Sequence, residues 1–136
     1  MLIISLPVPP LDNEFHVVES SIVTQIAENW HSVIVGRGGY HLLRENPRHL
    51  AVFIYANTDF RSKRIQEIYN MSAEAAVKLI EASDQDRQRY LRNVIGSDWA
   101  DAQLYHLSID TSALGFALAE EMVLDSMLAR LEGIFE

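Results

Sequence analysis

The apolar positions of this chain follow two rhythms in turn. From Phe15 they return at Val18, Ile22, Ile26 and Trp30, the three-and-four spacing of a helix with one buried face. Val33-Ile34-Val35 then places β-branched residues in a row, and the run stops at Gly36-Arg37-Gly38-Gly39. An apolar run without polar alternation predicts a strand covered on both faces, over residues 33–36. A short helical piece over Tyr40–Arg44 ends at Asn46-Pro47, and His49–Ala56 reads as a second buried strand. Asn57-Thr58-Asp59 offers N-cap chemistry for a helix carrying Phe60, Arg64, Ile65 and Ile68. Ser72 caps a longer helix whose stripe of Ala76, Leu79, Ile80, Ser83, Arg87, Tyr90, Leu91 and Val94 is apolar apart from Ser83 and Arg87, and Gly96 ends it. Residues 97–103 read as a loop, Leu104–Ile109 as a third strand and Leu114–Ile134 as a closing helix.

Strands that alternate with helical patterns predict an α/β fold, here a three-layer arrangement of a parallel sheet flanked by helices. Neither an internal repeat nor a composition break divides the chain, so residues 1–136 read as a single domain. Pro7, Pro9 and Pro10 make residues 7–12 irregular, and residues 1–12 an irregular lead-in in which Leu2–Leu6 is the only early strand candidate.

Charge sharpens this picture. The net charge is −8, yet ten of the 11 Lys and Arg residues fall between Arg37 and Arg92. An acidic chain with a basic middle suits a small anionic nucleotide or phosphate rather than a nucleic acid polymer, whose backbone the acidic flanks repel. The absence of cysteine fits a reducing cytoplasm, and the opening apolar run is too short to span a bilayer, so no membrane partner is expected.

The candidate chemistry follows from the arginines. Arg37 sets a fork of donors at the carboxyl end of a strand, where open α/β sheets bind ligands, and Gly36, Gly38 and Gly39 form the turn that supports it. Arg61 and Arg64 lie one turn apart on one helix. Arg64 has Glu67 within reach, whereas Arg61 has no acid three or four residues away and is expected to be free for an external anion. Asp86 and Arg89 stand at i,i+3 on the next helix, with Arg87 and Arg92 nearby. One reading gathers these arginines over a phosphate; the other makes them ordinary ion pairs, Asp84 with Arg87 and Asp86 with Arg89. His106, Ser108 and Asp110 alternate along a single strand, which is the wrong geometry for a hydrolytic triad. The five histidines lack metal-ligand spacing, so no metal site is expected.

Taken in order, Val33-Ile34-Val35-Gly36-Arg37-Gly38, Leu50–Ala56, Arg61 with Arg64-Ile65, Met71–Ala75, Asp86 with Arg89-Tyr90, 96–99 and Tyr105–Thr111 resemble the cytidylate kinase-like family over roughly residues 15–125. The resemblance implies the fold of a P-loop nucleoside monophosphate kinase. It also implies acceptor phosphate binding by Arg37, Arg61 and Arg64, and a catalytic pair in Asp86 and Arg89 near the transferred phosphoryl group. Mg-ATP as phosphoryl donor is implied by the resemblance alone.

Two departures qualify it. Gly38 stands where cytidylate kinases carry an aspartate at the acceptor site, and no G-x-x-x-x-G-K-[ST] motif occurs anywhere in the chain. The expectation is therefore a kinase-like domain without its first strand and phosphate loop, inactive by itself. With the loop supplied elsewhere it would phosphorylate a pyrimidine nucleoside monophosphate. A non-catalytic phosphate-binding module and a structural dimerisation domain are the alternatives, and a homodimer is expected because an incomplete sheet exposes apolar surface.

Overall fold

The computed structural model of the chain describes residues 2–4, 13–96 and 98–133. The irregular lead-in over residues 7–12 lies outside these, as do residue 97 and the expected end of the closing helix at residue 134. The elements run β1 (Leu2–Ile4), α1 (Asn13–Asn29), β2 (Ser32–Ile34), α2 (Gly39–Leu42), β3 (Val52–Tyr55), α3 (Thr58–Tyr69), α4 (Ala73–Ile95), a 3-10 turn (Ala102–Leu104), β4 (Leu107–Asp110) and α5 (Thr111–Leu131).

Local chemistry sets most of these boundaries. The Asn57 side chain accepts from the Phe60 N–H at 2.9 Å and the Ser72 hydroxyl from the Ala75 N–H at 3.2 Å, so both expected caps start their helices. Gly96 closes α4 at φ 76°, its N–H donating to the Arg92 carbonyl. The third strand begins later than expected, because Asp101 accepts from the Gln103 N–H and nucleates the 3-10 turn that takes up residues 102–104. The closing helix begins earlier, at Thr111, where Asp110 accepts from the Ser112 N–H. Gly115, at φ 78° and ψ 167°, breaks its regularity one turn later.

The strands pair as two parallel ladders rather than as three neighbours in one sheet. β1 lies beside β2 with Leu2 opposite Ser32 and Ile4 opposite Ile34, while β3 lies beside β4 with Val52 opposite Leu107 and Tyr55 opposite Asp110. The fold is mixed α/β, with small parallel sheets flanked by helices, and among the described residues no ladder joins the two pairs. The expectation that the first strand is missing is corrected as well, since residues 2–4 supply a strand next to β2.

Burial departs from the sequence pattern in two places. On α1 the expected inner stripe faces outward: Phe15, Val18, Ile22 and Trp30 are about half exposed or more, whereas Glu19 and Val23 are buried. The strands expected to be buried on both faces are also partly open, with Val33 and Val35 of the second strand region and Ile54 and Tyr55 of β3 exposed. Each strand has one parallel neighbour among the described residues, so one side of each ladder lacks the cover a longer sheet supplies. The core instead gathers on α4. Ala76, Ile80, Tyr90 and Leu91 pack inward, joined by Ile109 of β4, which is 1 % exposed, and by Ala51, Val23 and Ala119.

Candidate functional site

The turn after β2 is built from three successive left-handed residues, Gly36 at φ 77°, Arg37 at φ 60° and Gly38 at φ 64°. Two of the three are glycines because side chains are strained there. A Cβ on Gly38 would also stand 2.7 Å from the Ile95 side chain of α4, so the turn sits close against that helix. The chain then enters α2, with the Gly39 N–H donating to the Gly36 carbonyl.

Arg37 takes a strained backbone conformation, and its side chain is only 6 % exposed. The guanidinium approaches Glu19 of α1, Nη1 to Oε1, at 3.1 Å, and lies 6.0 Å from the centre of the Tyr90 ring of α4. Tyr90 donates its hydroxyl proton to Glu19 Oε2 at 2.7 Å, and His16 Nδ1 stands 3.5 Å from the same hydroxyl. Burial, then the Glu19 carboxylate, pushes the Tyr90 phenol up to about 12, with Arg37 pulling the other way. One buried cluster therefore ties the glycine turn to α1 and α4. A buried charge costs several kcal/mol unless it is paired, so Glu19 and Arg37 hold each other in place.

Arg61 is not free, contrary to expectation. It forms a bidentate pair with Asp84 of α4, at 2.7 and 2.8 Å, with both side chains about one-third exposed. Asp84 therefore does not serve Arg87, whose guanidinium lies 5.1 Å from the Trp99 ring centre instead. Arg64 reaches Glu67 at 3.7 Å and covers the Phe116 ring of α5 at 5.7 Å. Asp86 and Arg89 make the expected surface pair at 3.6 Å, both more than half exposed.

The arginines are thus spaced more than gathered. α3 and α4 form a helical hairpin pinned by Arg61 and Asp84. Arg64 lies one turn from that pin toward the connection, and Asp86 and Arg89 lie on its far side. At 1.5 Å rise per residue this separates Arg64 from Arg89 by about 12 Å along the hairpin. Asp86 and Arg89 lie in the carboxyl half of α4, as Tyr90 does, but on its exposed surface. Gly36, Arg37, Gly38 and Gly39 are tied to Glu19 and Tyr90 in one cluster, whereas Asp86 and Arg89 form an exposed surface pair on α4.

Sequence reasoning did not find Glu19, His16 or Tyr90 as partners at the turn, and it paired Asp84 with Arg87 where the structure pairs it with Arg61. Glu19 sits between two valines and a serine on α1 and has no local cation, and that missing local partner was the available signal.

The residues present do not fit a Mg-ATP cradle. Phosphate cradles are made of successive backbone N–H groups, and the segment after β1 reads Ser5-Leu6-Pro7-Val8-Pro9-Pro10, in which three residues have no N–H to give. Among the described residues no three His, Asp or Glu side chains converge in a way that could hold a metal ion.

Against this geometry, the model of the cytidylate kinase-like family matches residues 8–113. The chain belongs to the cytidylate kinase-like family. Its fold is similar to the crystal structure of an uncharacterized protein from Eubacterium ventriosum, with a TM-score of 0.79 at 23 % identity over 89 % of this chain and 68 % of that one. No curated protein matches.

Proposed function

We propose that this chain is an acceptor-nucleotide unit of the kinase-like family, binding the phosphate of a nucleoside monophosphate at the Gly36–Gly39 turn. The observation that carries this reading is the buried Arg37, held at a left-handed turn by Glu19 and Tyr90. A phosphate entering the turn takes the place of the Glu19 carboxylate on the guanidinium, a swap between two anions of similar hydrogen-bonding geometry. Arg89 adds positive charge from the carboxyl half of α4, where it is paired with Asp86. Arg61 serves as a structural tie to Asp84, and Arg64 adds charge at a distance from the turn.

The pyrimidine preference rests on the family alone, and Gly38 in place of an aspartate weakens any preference for cytosine. Phosphoryl transfer from ATP needs a backbone phosphate cradle that this sequence does not contain, so transfer would require that cradle from another source. By the same reading the protein is cytoplasmic and forms a homodimer. The exposed faces of α1 and α5, with Phe15, Val18, Ile22, Leu124 and Leu128, support the dimer.

A coupled assay with Mg-ATP and each nucleoside monophosphate tests the division of labour. Background rates are expected with this chain alone. Turnover with CMP or dCMP well above background would refute it.

A further inference from the structure

A cleft opens beside the amino ends of β3 and β4. Ala51 immediately precedes β3 and His106 immediately precedes β4, and the segment from Tyr40 to Arg44, which follows the turn that carries Arg37, supplies the facing side chains. Here a cleft of about 220 Å³ is lined by Tyr40, His41, Arg44, Gln103, Tyr105 and His106, among others. Among the described residues its lining holds no carboxylate, in a chain whose net charge is −8.

The hydrogen bonds fix which ring nitrogens carry the proton. The Ala51 N–H donates to His106 Nδ1 at 2.9 Å, so a neutral His106 carries its proton on Nε2. Arg44 Nη1 donates to His41 Nε2 at 3.0 Å, so a neutral His41 carries its proton on Nδ1. Arg44 also donates to the His41 carbonyl, which braces the guanidinium against α2, and its Nε faces the exposed carboxylate of Glu45 at 3.3 Å. Gln103 brings a side-chain amide from the 3-10 turn, and Tyr105, stacked on Phe53 at 4.9 Å, forms an aromatic wall.

We propose that this cleft is a binding site for a small phosphate group, taken by the Arg44 guanidinium, which His41 braces, together with His106 Nε2–H and the Gln103 amide. The donor set is rich in N–H groups, one of them permanently charged, which matches a tetrahedral oxyanion. The cleft is smaller than the roughly 300–1,000 Å³ of sites that enclose drug-sized ligands, so it suits a phosphate or the phosphate end of a small monoester more than a whole nucleotide. Burial and nearby cations lower the pKa of both histidines from the ordinary range, in keeping with neutral rings that accept the Arg44 and Ala51 N–H groups.

The site is read from histidine side-chain NMR on the intact chain, titrated at pH 7.5 and constant ionic strength with inorganic phosphate, with glycerol phosphate and with sodium chloride as control. Inorganic phosphate is expected to move the His41 and His106 ring signals saturably, and Arg44→Ala to raise the midpoint about tenfold or more. Arg44→Lys, which keeps the charge and loses the fork, is expected to fall between the two. A response to glycerol phosphate and not to inorganic phosphate would identify the ligand as a monoester and support the site. Unsaturable shifts matched by chloride, or a midpoint unchanged in Arg44→Ala that retains its native spectrum, would overturn it. His16, beside Tyr90, reports the Arg37 turn separately, so failure of one site is distinguishable from failure of the other.

Discussion

Glu19 and Arg37 show how one ion pair redirects the reading of a sequence. By type and spacing, Arg37 at a strand end next to glycines reads as a ligand-binding arginine. Its internal partner lies 18 positions earlier on a helix whose apolar stripe faces outward. Periodicity recognised that α1 is a helix, but the buried carboxylate chose which face turns inward, because Glu19 is stabilised where Arg37 and Tyr90 can reach it. Asp84 is legible in the same limited way, since a pairing across a helical hairpin is invisible to i,i+4 rules.

The histidines give a residue-scale prediction. His49 is lowered mainly by burial, then by His106 and Arg130, with the Leu43 backbone opposing; His106 is lowered by burial and Arg130, and His41 by burial and Arg44. His49 and His106 meet edge to face at 5.8 Å, and Arg130 of α5 donates to the His49 carbonyl. Groups whose folded-state affinity for protons is lowered cost stability once the unfolded chain begins to take up protons, below about pH 6.5. Melting temperature should therefore hold between pH 8 and 7 and fall from pH 6.5 to 5. His49→Gln should flatten that fall, and an identical fall in His49→Gln would contradict the assignment.

At the scale of elements, the helix caps were the most legible feature of the chain. Asn57, Ser72 and Gly96 each act where their chemistry predicts, because a cap is a contract between neighbours in sequence. Strand edges were less legible. The start of β4 is delayed by a 3-10 turn that Asp101 caps locally, and an apolar run cannot reveal how many neighbours a strand will find. The Gly36–Gly39 turn links both kinds of information. Gly38→Ala there places a side chain at φ 64° and a methyl group against the tip of Ile95, which has to shift to admit it. A loss of about 1–3 kcal/mol in urea unfolding is expected, since strain of this kind costs that much at each residue. Unchanged stability would mean that the turn is not held against α4.

For the whole molecule, the order of elements and the α/β class were legible, and the joining of strands into one sheet was not. The reason is physical: parallel ladders are closed by contacts far apart in sequence, which no local pattern encodes. The two-ladder arrangement also leaves much apolar surface on α1, β3 and α5. Each such side chain gains about 1.5–3 kcal/mol when fully buried, so a second copy is the expected cover. Light scattering on dilute protein should give a particle twice the chain mass of 15.4 kDa, and a stable monomer would count against the dimer.

The central claim, that the Arg37 turn receives an acceptor phosphate in exchange for Glu19, is tested most directly by calorimetric titration of CMP into the intact protein and two variants. A charge-assisted arginine bond contributes about 1.5–3 kcal/mol, so Arg37→Ala should weaken CMP binding roughly ten- to a hundredfold. Glu19→Gln, which removes the competing charge, should tighten it. CMP affinity unchanged in both variants, each shown to be folded by its amide spectrum, would contradict the account.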